Sequence, residues 1–270
     1  MPLIDLPTGV RLNANFQPGA ASRPVFVFVN SSGATAAAWD GSVTPALLAA
    51  GYGTLTVDLR GQGSSEHAEG SQFDTDEIVG DLNALLTTLA LDNVILVGLS
   101  VGGLRAANLA ARRPGVVGLV LINTLRKKGP LTSWVGELET RLMAIGGTQL
   151  VQDAFRPVTV SSEELGHIRP RHLLDKPYEP MAIEHPRRQL AEGAKRADWD
   201  FDWASLTMPT LVLTGLHDRL FRVQSEVDEL CARLQNGRQV QFENEGHALH
   251  TENPGRTAEE LLAFADTLRL

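Results

Sequence analysis

Apolar residues along the chain follow two alternating periods, and their alternation sets the expected architecture. Short runs rich in β-branched residues stop at turn-forming clusters: Pro24 to Val29 before Asn30-Ser31-Ser32-Gly33, Thr54 to Val57 before Asp58, and Asn93 to Val97 before Gly98. Val117 to Ile122, Pro209 to Gly215 and Gln239 to Phe242 repeat the pattern, and all six read as buried strands. Helical spacing fills the intervals at Trp39 to Ala50, Asp76 to Leu89 (with Asp74 or Thr75 as its cap), the alanine-rich stretch after Ser100, Val223 to Leu234 and Pro254 to Leu268. Leu3 to Leu6 and Val10 to Phe16 flank Pro7-Thr8-Gly9 and predict an antiparallel hairpin. Strands alternating with helices of this length call for an α/β fold: a mostly parallel sheet covered on both faces.

The alternation stops between Thr124 and about Leu206. This stretch has helical patterns but no buried strand pattern, and prolines punctuate it at 130, 157, 170, 177, 180 and 186. It holds three of the four tryptophans and twelve basic against twelve acidic residues, so the net charge of −8 resides in the remainder. We read residues 1–124 and 207–270 as the core, and 125–206 as a helical insertion of about four short helices lying over the sheet.

Composition narrows the function classes. The acidic balance leaves no electrostatic footprint for nucleic acid. The longest apolar runs are strand-length, so no membrane partner is expected, and the N-terminus lacks the pattern of a signal peptide. A cytoplasmic protein acting on a small molecule is the expectation; its oligomeric state is left open. The one cysteine, Cys231, stands beside Leu230 and Leu234 and reads as a helical core position.

The candidate chemistry centres on Gly98-Leu99-Ser100-Val101-Gly102, a strand, a tight turn and a helix with serine at the apex. Glycines two residues either side of the serine allow strand and helix to approach closely, and the strained turn lifts the hydroxyl clear of the sheet. A serine hydroxyl needs a base, and the base needs a carboxylate to orient it. Three residues follow strands by a few positions: Ser100, Asp218 in Gly215-Leu216-His217-Asp218, and His247 in Gly246-His247. Their order along the chain is Ser, Asp, His. Glu245, close to His247 in sequence, is a rival carboxylate.

With Asp58-Leu59-Arg60-Gly61-Gln62-Gly63-Ser64-Ser65, these motifs make the chain resemble the α/β-hydrolase superfamily over nearly all its length outside the insertion. The resemblance implies an α/β-hydrolase fold with a helical cap inserted before the strand that precedes Asp218. It implies Ser100 as nucleophile, His247 as general base and acid, Asp218 as the orienting carboxylate, and Arg60 as a structural pairing residue. It also implies an oxyanion hole from the backbone N–H groups of Val101 and Ser32. Relatives commonly carry His-Gly where this chain has Asn30-Ser31. Asn30-Ser31-Ser32-Gly33 and Ile122-Asn123-Thr124 resemble 3-oxoadipate enol-lactonases, which suggests a lactone or small carboxylic ester as substrate. Asn30, Ser31, Trp39, Leu125 and Trp134 are the expected pocket residues.

Hydrolysis of a carbon–carbon bond, a cofactor-free perhydrolase reaction and a non-catalytic receptor are the alternatives on the same residues. No cofactor or metal is expected: His167, His172 and His185 stand among Arg169, Arg171, Arg187 and Arg188, which disfavour a cation. Those arginines could instead clamp a substrate carboxylate.

Overall fold

The computed structural model describes residues 2–125 and 127–268; Met1, Arg126, Arg269 and Leu270 lie outside that description. Eight strands form one sheet: β1 (Leu3–Asp5), β2 (Arg11–Gln17), β3 (Val25–Val29), β4 (Gly53–Val57), β5 (Val94–Leu99), β6 (Val116–Ile122), β7 (Thr210–Gly215) and β8 (Gly237–Phe242). Their spatial order is β1-β2-β4-β3-β5-β6-β7-β8. β1 pairs with β2 and β2 with β4 antiparallel, and every later pairing is parallel. The predicted hairpin is therefore the antiparallel edge of a parallel sheet.

The strands divide their side chains between two helical layers. Val27, Val29, Leu96, Leu119, Leu121 and Val212 pack with Leu82, Leu85 and Leu104 on one face. Their neighbours Phe26, Phe28, Ile95, Val97, Val120, Ile122 and Leu211 pack with Trp39, Leu47, Leu261 and Phe264 on the other. A period of two sorts each strand between two apolar layers, which is why the strands read as unbroken apolar runs.

The helices are α1 (Ala37–Asp40), α2 (Thr44–Ala49), α3 (Thr75–Thr88), α4 (Val101–Arg112), α5 (Pro130–Thr159), α6 (Ser162–Ile168), α7 (Pro186–Lys195), α8 (Gln224–Arg233), α9 (Leu249–Glu252) and α10 (Pro254–Thr267). The start of α3 falls where the sequence places it, with Asp74 accepting from the Glu77 N–H at 2.9 Å. The single helix expected over Trp39 to Ala50 is two short ones, split at Gly41 to Val43.

The segment between β6 and β7 is helical, with no strand among its described residues, and its helices number the expected four, because α5 is two helices that meet at a kink. At the kink Gly146 and Gly147 leave helical geometry, and Gly147 takes φ 64° and ψ −162°. Pro157 lies in the last turn of α5, two residues before its end at Thr159. α6, α7 and two single 3-10 turns (Arg169–Arg171, Trp203–Ser205) complete the segment. Among the described residues no helix is long and apolar enough to cross a membrane. Cys231 is half-buried against the core, and burial pushes its thiol up from the ordinary range.

The order of the central strands locates the site. From β3 the chain goes outward to β4 and then returns to place β5 on the opposite side of β3. At such a reversal the loops leaving the two strands diverge and open a crevice at their C-terminal ends. The loop carrying Ser32 leaves β3, and the turn carrying Ser100 leaves β5.

Candidate active site

Ser100 occupies the turn between β5 and α4 with φ 57° and ψ −122°, a conformation that strains a non-glycine residue. Its glycines are required by close approach. A Cβ on Gly98 would lie 2.5 Å from the Gly102 carbonyl oxygen, and one on Gly102 would lie 2.3 Å from that of Val29. Neighbouring strands hold the turn: the Ser100 N–H donates to Ile122 O at 2.8 Å, and Thr124 Oγ1 donates to Ser100 O at 3.1 Å. The first N–H groups of α4, beginning at Val101, point at this turn and have no partner within the helix.

His247 follows β8, and its Nδ1–H donates to Asp218 Oδ2 at 2.6 Å. Asp218 is 1% exposed; its Oδ1 accepts the backbone N–H groups of Leu220 and Phe221 at 3.2 and 2.9 Å. The β7–α8 loop thus fixes the carboxylate, and the carboxylate fixes the imidazole, leaving Nε2 able to accept a proton. Phe221 packs against the imidazole ring, centroids 4.7 Å apart. Glu245 does not compete for His247: its carboxylate accepts from Asn253 Nδ2 at 2.6 Å and the Asn244 N–H at 3.3 Å.

Ser100 and His247 line one cavity of about 490 Å³, together with Ser31, Ser32, Val101 and Leu125. Gln62 steadies the loop after β3, its Nε2 donating to the carbonyls of Ser31 at 2.7 Å and Ser32 at 3.2 Å. The opposite wall comes from the helical segment: Thr132, Gly136, Glu139 and Met143 from the first half of α5, Arg156 and Thr159 from the second, and Arg187 and Lys195 from α7.

Three expected pocket residues are elsewhere. Asn30 is fully buried beneath the loop, where its Oδ1 accepts from Trp39 Nε1 at 2.7 Å and its Nδ2 donates to Val57 O at 2.8 Å. Trp39 is also fully buried, stacked between Phe28 and His250, with ring centroids 4.8 and 4.1 Å away. Trp134 is 75% exposed on the outer side of α5. Two residues before Gly136, it is turned about 200° from the face that meets the cavity. Of the four arginines that could clamp a carboxylate, Arg187 alone lines the cavity; Arg188 Nη1 is spent on Met181 O at 2.9 Å.

Several positioning residues have a role that the sequence does not assign. Asn123, itself at φ 47°, joins three strand ends. Its Nδ2 donates to His247 O at 2.7 Å and Gly246 O at 3.0 Å, and its Oδ1 accepts the Gly215 N–H at 2.9 Å. Glu252 accepts from the Gly246 and Ala248 N–H groups and from Ser161 of the helical segment. The His247 N–H donates to Thr159 O at 2.6 Å, so the end of α5 is fastened to the loop that carries the histidine.

Two titratable groups in the cavity are displaced from their ordinary range. Burial pushes His250 down to about 3, with the charges of His247 and Arg156 acting in the same sense, so its ring is neutral at physiological pH. Burial pushes Glu139 up to about 7, against the opposing pull of His247 and Lys195. Among the described residues, no group of three or more His, Cys, Asp or Glu side chains is placed to hold a metal ion.

A strained serine, a histidine bound to a buried carboxylate and a shared cavity can together support nucleophilic attack with proton transfer. Comparison with known proteins agrees with this chemistry at the level of the family. Residues 26–260 match the sequence model described as "Alpha/beta hydrolase family". BpoC of Mycobacterium tuberculosis, which is named as a non-heme bromoperoxidase, is 35% identical over 115 residues, so the match spans 43% of either chain. The 3-oxoadipate enol-lactonase 2 of Acinetobacter baylyi is 25% identical over 225 residues, 80% of this chain and 79% of that one. Among solved structures, the enol-lactonase from Burkholderia xenovorans LB400 superposes with a TM-score of 0.83 at 22% identity, covering 98% of this chain and 100% of that chain.

Proposed function

The chain belongs to the alpha/beta hydrolase family, and from that premise we propose that it is a serine hydrolase cleaving a small carboxylic ester or lactone through an acyl-enzyme. The observation that carries the reading is the 2.6 Å bond between buried Asp218 and His247, on the wall of the cavity into which the strained Ser100 turn opens.

The reaction runs in two halves. His247 Nε2 takes the proton as Ser100 Oγ attacks the substrate carbonyl carbon, and the Asp218 carboxylate stabilises the imidazolium that forms. The carbonyl π electrons move onto oxygen, and the backbone N–H groups of Ser32 and Val101 receive that oxyanion. A donor of this kind contributes about 3 kcal/mol to the transition state. Collapse of the tetrahedral species expels the alkoxide, which takes the proton from His247; in a lactone it stays tethered to the acyl group. Water, deprotonated by the same histidine, then releases the acid. The helical segment 125–206 acts as a cap that shapes the cavity, and the enol-lactonase relatives support a small oxygen ester as substrate.

Ser100→Ala is expected to lower kcat for p-nitrophenyl acetate by about a thousandfold or more while leaving the folded state intact. A fluorophosphonate is expected to label Ser100 alone. An alanine variant that turns over at near the wild-type rate overturns the mechanism.

A further inference from the structure

The charge of the cavity is unlike that of the molecule. In a chain of net charge −8, its wall carries Lys128, Arg156, Arg187 and Lys195, and Glu139 is its one carboxyl among the described residues. The two lysines are committed. Lys195 Nζ pairs with Glu192 at 2.8 Å and Glu137 at 3.4 Å, and Lys128 Nζ donates to Lys195 O at 2.6 Å. The guanidinium groups of Arg156 and Arg187 have no ion pair or hydrogen bond among the described residues, and neither has the Glu139 carboxyl. Glu139 therefore faces the space above Ser100 and His247 as an acid with no partner. Such a group acts on whatever enters.

We propose that Glu139 is the residue that selects substrates by charge: a carboxylate-bearing ester is accepted while Glu139 holds its proton and turned away once it ionises. This rests on the hydrolase reading above and specifies which substrates the cavity takes. With its proton, Glu139 is a neutral hydrogen-bond donor, and Arg156 and Arg187 are left to attract an anion. Ionised, it sets a negative charge beside an incoming carboxylate in a cavity where water screens poorly. An uncharged ester meets neither effect.

The other groups facing Glu139 do not distinguish the two kinds of ester by pH. The loop after β3 contributes no charged side chain to the cavity wall, and α9 contributes His250, held neutral by burial. The β6–α5 loop, α5 and α7 contribute lysine and arginine, residue types whose ordinary ionisation lies well above neutral pH. His247, from the loop after β8, is the base for either kind of ester, so its contribution is common to both and cancels in a ratio of two substrates. Burial sets the Glu139 transition at about 7.

The experiment compares mono-p-nitrophenyl glutarate with p-nitrophenyl butyrate between pH 5.5 and about 8.5 at constant ionic strength. The ratio of kcat/KM, anionic over neutral, is expected to fall by about tenfold or more as pH rises through about 7 in the wild type. In Glu139→Gln it stays flat at its low-pH value, and in Glu139→Asp a fall persists. A flat ratio in the wild type, or the same fall in Glu139→Gln, overturns the proposal. Failure of the two readings is separable. Turnover of p-nitrophenyl butyrate that survives Ser100→Ala, or no turnover by the wild type, counts against the hydrolase reading. The Kd of glutarate for Ser100→Ala, by calorimetry, reads Glu139 by comparison: it is expected to weaken through the same pH range, and more steeply than after Glu139→Gln is added. The same pH dependence with and without Glu139→Gln overturns the proposal.

Discussion

At the scale of single residues, the site depends on polar side chains whose hydrogen bonds span long stretches of chain. Asn123 is 124 residues from His247, yet its amide holds the histidine's carbonyl, the neighbouring glycine's carbonyl and the end of β7 together. Asn123→Ala leaves two carbonyls and one N–H without that partner and frees the loop that aims the imidazole. We expect kcat to fall about tenfold or more with little change in KM, because the histidine loses orientation rather than the substrate losing contacts. Steady-state kinetics on a neutral ester measures this, and a raised KM at unchanged kcat contradicts it. Asn30 and Trp39 teach the complementary lesson. Both are near the cavity in sequence terms, but beneath it the Trp39 indole N–H is spent on Asn30 Oδ1 and the Asn30 amide N–H on Val57 O and Gln62 Oε1.

Elements add constraints that side chains alone do not express. Helix α5 presents residues to the cavity from both halves, and the bend at Gly146 and Gly147 makes that possible by changing the helix direction part-way. Gly147 takes backbone angles that favour glycine, and a Cβ there would stand 2.5 Å from Glu179 O. Gly147→Ala is therefore expected to destabilise the protein by about 1–3 kcal/mol, lowering Tm by several degrees in a thermal melt. The two adjacent glycines are visible in the sequence, but a helical pattern runs through them on both sides, so pattern alone could not decide between a bend and a break. The two short helices over residues 37–49 show the same limit, since their apolar positions keep helical spacing across the interruption.

For the molecule as a whole, the loop after β4 is tied to α3 by a buried ion pair. Arg60 binds Asp81 through Nε at 2.7 Å and Nη2 at 2.8 Å, and also pairs with Glu77 at 3.0 Å. Burial works against the charge of Arg60, but the bonds and charges of Asp81 and Glu77 outweigh it and hold its pKa above the ordinary arginine value. Arg60→Met leaves Asp81, 2% exposed, without its main partner and is expected to cost about 3–5 kcal/mol. The double variant Arg60→Met, Asp81→Leu is expected to recover much of that loss, because no buried charge is then left unpaired. Urea denaturation of the three proteins measures it; a double variant no more stable than the single one contradicts the account.

The sequence by itself determined what local pattern and chain order can determine. Its apolar periods placed the strands, its turn clusters ended them, and Gly98-Leu99-Ser100-Val101-Gly102 fixed the tight turn, because only glycine fits where strand and helix nearly touch. The order Ser100, Asp218, His247 singled out those three residues before any contact was known. What the tertiary structure alone decided is which face of each element meets the cavity. Glu139 and Trp134 lie five residues apart on one helix, one turned inward and the other into solvent, because α5 packs in one rotation and not another. The bonds of Asn123, Glu252 and Gln62 join chain segments that have no common pattern, so only folding brings them together.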